Sequence, residues 1–209
     1  MFKVLARVFL KLKGWEMAGE LPTARSYVLI AAPHTSNWDL AYMLAIAWLC
    51  DVNIHWMGKH TLFSPPFGWV MKRLGGIPIY RHRRDNIVQQ MAEQLTSRGS
   101  LVLVVPPEGT RGSAEYWRSG FYHIANLAQV PIVMGYLDYA KKRGGFGPAL
   151  MPTGDVKVDM KVIRAFYNDK VGKYPDNHGR IRLREEGEDA PRSSQRRSTF
   201  RTREIRTPL

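Results

Sequence analysis

Five short apolar runs, each followed by a stretch with helical spacing, constrain this chain more than anything else in it. The runs are YVLIAA (27–32), VNIHWM (52–57), GIPIY (76–80), SLVLVV (100–105) and VPIVMGYL (130–137). They are apolar on both faces, so a strand built from any of them needs cover above and below its sheet. Helical patterns over 38–50, 61–73, 86–98, 118–129 and 155–168 supply that cover, most of them preceded or ended by Gly, Pro, Asn or Asp. This alternation predicts a single α/β domain with a mixed, largely parallel sheet flanked by helices. A chain of 209 residues, 44% of them hydrophobic, is enough for such a core, which excludes wholesale disorder.

The two ends read differently from this middle. Phe2, Leu5, Val8, Phe9 and Leu12 recur at helical spacing with Lys3, Arg7, Lys11 and Lys13 between them. Residues 1–20 are therefore expected to carry a basic amphipathic helix. Such a helix suits the interface of an anionic bilayer, and it equally suits an ordinary packed helix with a solvated face. Residues 21–179 form the expected globular domain. Residues 180–209 are dense in Arg, Glu, Ser and Thr, bury too little apolar area to offset ordering, and are expected to be a disordered basic tail.

Charge and composition narrow the partners. Thirty-one Lys and Arg against eighteen Asp and Glu leave a net charge of +13, which favours nucleic acid, an anionic membrane or phosphorylated small molecules. The longest apolar run, LAYMLAIAWLC at 40–50, falls well short of the roughly 20 residues a spanning helix needs, so no span is expected. Cations at every third or fourth position of the first fifteen residues leave no room for a secretory signal. The single Cys50 excludes an intramolecular disulfide and a thiolate metal cage. An intracellular protein is expected.

Candidate chemistry sits where strands end. The first run passes through Pro33 into His34, with Asp39 five positions later. Ligands of open α/β sheets bind outside the carboxyl ends of strands. On one helix, residues five apart point about 140° away from each other, so the pair can meet only if His34 lies in the turn and Asp39 in the first helical turn. Pro33 and a Ser36 or Asn37 cap favour that arrangement. A carboxylate that accepts Nδ1–H leaves Nε2 free as a general base. The same residues also suit a surface histidine and a capping aspartate with nothing between them. The fourth run ends in Pro106-Pro107-Glu108-Gly109-Thr110-Arg111-Gly112. This reads as an anion-binding loop, with a close-approach glycine, a hydroxyl and a guanidinium fork, or as a plain tight turn. Gly76 to Arg81 is another strand ending in a cation.

In this order and spacing, the pieces resemble the glycerolipid acyltransferase family, typified by 1-acylglycerol-3-phosphate acyltransferases. His34 and Asp39 match its first block, Gly76 and Arg81 its second, Pro107 to Arg111 its third and Val130 to Val133 its fourth. The resemblance implies a glycerol-3-phosphate acyltransferase-like fold and transfer of a fatty acyl group to the hydroxyl of a lysophospholipid-like acceptor. The acyl donor would be acyl-CoA or acyl-carrier protein, as co-substrate, with no other cofactor and no metal. It further implies that His34 is the base and Asp39 its orienting partner. Arg81, Glu108, Gly109, Thr110 and Arg111 would hold the acceptor, and amides around Gly109 would stabilise the oxyanion. A peripheral place on the cytoplasmic side of the membrane follows, with no specific nucleic acid as partner. Two departures, Tyr80 before Arg81 and a second proline before Glu108, leave room for a non-glycerophosphate acceptor. More distant alternatives are a basic nucleic-acid- or membrane-binding protein without catalysis, and a metal-dependent hydrolase drawing on His34, Asp39, His55, His60 or His123.

Overall fold

Over the residues it describes, 2–79 and 87–187, the computed structural model opens with α1 (Phe2–Lys13), β1 (Glu16–Ala18), β2 (Ser26–Ala32) and α2 (Trp38–Leu49). It continues through β3 (Ile54–Lys59), α3 (Gly68–Arg73), β4 (Gly76–Ile79), α4 (Ile87–Ser97) and β5 (Leu101–Val105). It closes with α5 (Gly120–Ala128), β6 (Ile132–Asp138), β7 (Arg143–Leu150) and α6 (Val156–Tyr167). The strands make one seven-stranded sheet in the order β1-β7-β6-β2-β5-β3-β4, parallel except where β7 runs against β6. The expected α/β domain with a mixed, largely parallel sheet is what forms.

Strand period decides which helix covers which face. On β5, Leu101, Leu103 and Val105 point to one side and Val102 and Val104 to the other, and β2 splits in the same way. The first side packs on α4, α5 and α6 through residues such as Leu95, Phe121, Ile124 and Ile163. The second packs on α2, with Tyr42, Leu44 and Ile46, and beyond it on α1. Two apolar clusters therefore sandwich the central strands, which is why these runs show no alternation in sequence.

Three features depart from the sequence reading. The helix expected over 61–73 is split: a single 3₁₀ turn, His60–Phe63, is followed by Pro65 and Pro66, and only Gly68–Arg73 is α-helical. Proline has no amide to donate and disfavours helix in the residue before it. Strands β1 and β7 were not expected. The sequence of β7, RGGFGPAL, has the composition of a turn. It forms a strand because its glycines admit close neighbours: a Cβ on Gly145 would lie 1.9 Å from the Ala18 carbonyl oxygen, and one on Gly147 would lie 2.3 Å from the Phe166 ring.

The third departure is at the end of the domain. Residues 180–187 are packed: Leu183 is fully buried and bridges to Trp117, and Arg164 Nη1 donates to Glu186 at 3.1 Å. One buried leucine and one ion pair anchor a segment whose average composition is polar. Residues 188–209, the rest of the expected tail, lie outside the described residues.

The N-terminal helix forms over Phe2–Lys13, with its apolar residues divided between two faces. Ala6 and Leu10 are buried against α2, Phe9 packs on Tyr42 with ring centroids 5.3 Å apart, and Phe2 packs on Trp48 at 5.0 Å. Val4, Leu5, Val8 and Leu12 point outward, Leu12 at 80% exposure. Among the described residues, no helix is long and apolar enough to cross a membrane.

Candidate active site

Three adjacent parallel strands deliver side chains to one edge of the sheet. Strand β2 lies between β5 and β6, with Ile30 opposite Val105 and Ala32 opposite Tyr136. The segments after all three therefore emerge together. They bring His34 to Asp39, Glu108 to Arg111, and Tyr139 side by side, although these residues span more than a hundred positions in the chain.

The turn after β2 makes the expected pairing. His34 Nδ1 lies 3.1 Å from Asp39 Oδ2, with Asp39 in the first turn of α2. Asp39 is 5% exposed, and the burial of its charge is compensated by donors. The amides of Thr35 and Ser36 both donate to Oδ2 at 2.9 Å, and the Tyr139 hydroxyl donates to Oδ1 at 2.6 Å. With Oδ2 as the acceptor facing Nδ1, the imidazole tautomer that donates to it carries its proton on Nδ1 and leaves Nε2 free. Ser36 helps to start the helix, its hydroxyl accepting the Trp38 amide at 3.2 Å. Asn37 caps nothing; its side-chain oxygen accepts from Arg111 instead.

The loop after β5 divides its residues between two tasks. Arg111 and Thr110 are exposed at the site, and Arg111 reaches across to Asn37. Gly109 has φ +65°, a left-handed conformation that favours glycine, and the exposed Arg118 side chain lies against it. The Gly109 amide, expected as an oxyanion donor, turns back to the Pro106 carbonyl at 3.3 Å. Glu108, expected to touch the acceptor, is 4% exposed, and its Oε1 accepts the His34 backbone amide at 3.0 Å. It latches the β5 loop to the β2 turn from beneath. Burial raises its carboxyl to about 6, against the pull of the His34 amide bond.

A cavity of about 1120 Å³ opens beside these groups. His34, Asp39, Thr110, Arg111 and Arg118 line its polar part, and Met57, Leu62, Met71, Val88 and Phe121 are among its apolar walls. Glu108 is not part of that lining. A lining that combines two guanidinium groups and an imidazole–carboxylate pair with many apolar side chains suits a ligand with an anionic group and a hydrocarbon chain. Gly76 starts β4 in close packing, where a Cβ would meet the Phe63 ring at 2.6 Å; Arg81, its partner in the second block, lies outside the described residues. No group of three or more His, Cys, Asp and Glu side chains among the described residues is placed to hold a metal ion.

Arg118 belongs to the stretch 117–123 after the third block, which by sequence suits either the lining of the same cleft or the start of a core helix; the structure puts Arg118 in the lining. One residue of this site was absent from the sequence candidates. Tyr139 carries no local signal; its place at the end of the strand beside β2 identifies it only once the strand order is known.

A protein-family model described as Acyltransferase matches residues 16–135, more than half of the 209-residue chain. Among solved structures, the crystal structure of the 1-acyl-sn-glycerophosphate (LPA) acyltransferase PlsC from Thermotoga maritima has a similar fold, with a TM-score of 0.55 at 14% identity. The likeness covers 80% of this chain and 78% of that one. No curated protein matches the chain.

Proposed function

Because this chain belongs to the acyltransferase family, we propose that it transfers a fatty acyl group from acyl-CoA or acyl-carrier protein to the hydroxyl of a lysophospholipid-like acceptor. The acceptor is 1-acylglycerol-3-phosphate or a related lipid of phospholipid biosynthesis, and His34 is the general base. The observation that carries this reading is the His34–Asp39 contact of 3.1 Å in the lining of a cavity with largely apolar walls.

The chemistry follows from the tautomer. With its proton on Nδ1, His34 takes the acceptor's hydroxyl proton at Nε2 as the oxygen attacks the thioester carbonyl carbon. Asp39 stabilises the imidazolium that results. The tetrahedral intermediate collapses with cleavage of the C–S bond, and the imidazolium returns the proton to the leaving thiolate. An ester and a free thiol are produced, and no covalent acyl-enzyme is required. Arg111 and Arg118 are suited to the acceptor phosphate, since planar guanidinium forks match phosphate oxygens. Glu108 serves the site from below by holding the His34 backbone.

The outward face of α1 supports a peripheral position at the cytoplasmic membrane face. Val4, Leu5, Val8 and Leu12 make an exposed apolar stripe, and Lys3, Arg7 and Lys11 lie on the same helix, all exposed. Each cation near an anionic bilayer contributes about 1 kcal/mol.

One experiment tests both parts. Wild type and His34→Ala are given palmitoyl-CoA and a panel of lysophospholipids in anionic or zwitterionic vesicles, with thiol release, lipid product and vesicle co-sedimentation read together. Acceptor-dependent thiol release should fall by roughly 10²- to 10⁴-fold in the variant. Wild-type protein should sediment with anionic vesicles only. Substantial turnover by His34→Ala would remove the base role, and equal sedimentation with both vesicles would remove the electrostatic part of the membrane reading.

A further inference from the structure

The carboxylate of Asp39 is held unevenly. Three donors converge on Oδ2: the amides of Thr35 and Ser36 and Nδ1 of His34. Only Tyr139 donates to Oδ1 among the described residues, at 2.6 Å. Oδ2 lies off the Cβ–Cγ axis, so its donors already limit rotation about that bond, and the Tyr139 hydroxyl fixes the plane of the carboxylate at a second point.

Tyr139 is itself tightly placed. It follows β6 by one residue, and its amide donates to the Val171 carbonyl at 2.8 Å. Its ring stands edge-on to Trp15 at 4.8 Å and to Tyr42 at 5.8 Å, and those two rings stack on each other at 4.3 Å. A phenylalanine would fill the same ring position, so packing does not explain the hydroxyl. Asp39 is the hydrogen-bond partner that does. Burial, followed by the hydrogen bond to the Asp39 carboxylate, drives the phenol well above its ordinary pKa, which keeps it a donor.

Resting on the assignment of His34 as general base, we infer that Tyr139 is a positioning residue for the His34–Asp39 pair. It anchors the second oxygen of the Asp39 carboxylate, so that Oδ2 stays on Nδ1, the imidazole proton stays there and Nε2 is free for the acceptor hydroxyl. Tyr139 acts through Asp39 and needs no contact with either substrate. The site is then a Tyr139–Asp39–His34 chain spread over the ends of two neighbouring strands.

Tyr139→Phe removes the hydroxyl and keeps the ring. Its kcat should fall roughly tenfold, as expected for losing one hydrogen bond to a charged group, with KM for both substrates within about twofold of wild type. A readout independent of turnover is the nitrogen NMR signature of the neutral His34 imidazole. Wild type should show the Nδ1–H tautomer alone, and Tyr139→Phe a mixture with Nε2–H. Tyr42→Phe is the control, since it belongs to the same aromatic cluster and its hydroxyl does not touch Asp39; it should keep wild-type kcat and tautomer. Wild-type kcat and a single tautomer in Tyr139→Phe would overturn the inference, as would an equal loss in Tyr42→Phe. If His34→Ala keeps its activity, the base assignment fails, and the tautomer mixture still decides whether Tyr139 holds the pair.

Discussion

Asp39 after β2 and Glu108 after β5 are carboxylates at the ends of neighbouring strands, 5% and 4% exposed, and their surroundings are opposite. Asp39 accepts from two amides, an imidazole nitrogen and a phenol. Glu108 accepts the His34 amide through Oε1, while Oε2 has no hydrogen-bond partner among the described residues. Burial leaves Glu108, with one oxygen unpaired, raised toward its neutral form. The difference separates two tasks within one site. Asp39 supplies charge to an imidazole, and Glu108 supplies a link between two loops.

The largest effect should come from removing the charge of Asp39 while keeping its shape. In Asp39→Asn, the side-chain oxygen can stay on the Thr35 and Ser36 amides while the new NH₂ donates to the Tyr139 oxygen. Geometry is retained and the imidazolium loses its counter-charge. Steady-state kinetics should show kcat down by about a hundredfold. A kcat within tenfold of wild type would mean that orientation alone suffices, and the contrast with Glu108 would narrow.

Next in size is the pH dependence of stability set by Glu108. Its carboxyl is raised from 4.5 in the unfolded chain to about 6 in the fold. The folded state therefore favours the protonated form. The resulting stabilisation is full below pH 4.5 and is lost as the pH rises through 6, by about 2 kcal/mol in all. Glu108→Gln cannot ionise and still offers an oxygen to the His34 amide. Urea unfolding at several pH values should show wild type losing that amount relative to the variant between pH 4 and 7. A constant difference between the two would place Glu108 in the same satisfied class as Asp39.

The smallest effect belongs to the rim of the site. Arg111→Ala should raise the acceptor KM roughly tenfold with kcat changed only a few-fold, because an exposed guanidinium binds the ligand without entering the chemistry. An unaltered acceptor KM would leave Arg111 with its Asn37 contact alone and move the phosphate to Arg118.

Much of this architecture was legible in the chain. Apolar runs of five to eight residues, punctuated by Gly and Pro, located strands β2 to β6, because strand formation there follows the local apolar pattern. The His34 to Asp39 spacing predicted a turn followed by a helix start, since no continuous helix would let the two side chains meet. Where reading failed, distant contacts had overridden local composition. RGGFGPAL became a strand because Ala18 and Phe166 approach it closely, and the segment around Leu183 became ordered because one side chain found a slot beside Trp117.

What the sequence determined by itself is therefore the succession of five of the seven strands with most of their helices, the α/β class, and the residues able to do acid–base work at strand ends. Each of these depends on neighbours a few positions apart. Only the tertiary structure decided that Glu108 faces inward, that the apolar residues of α1 divide between core and surface, and that Tyr139 completes the carboxylate of Asp39 from a hundred residues away. Those outcomes depend on strand order, which parallel crossovers set over long stretches of chain and which no local pattern encodes.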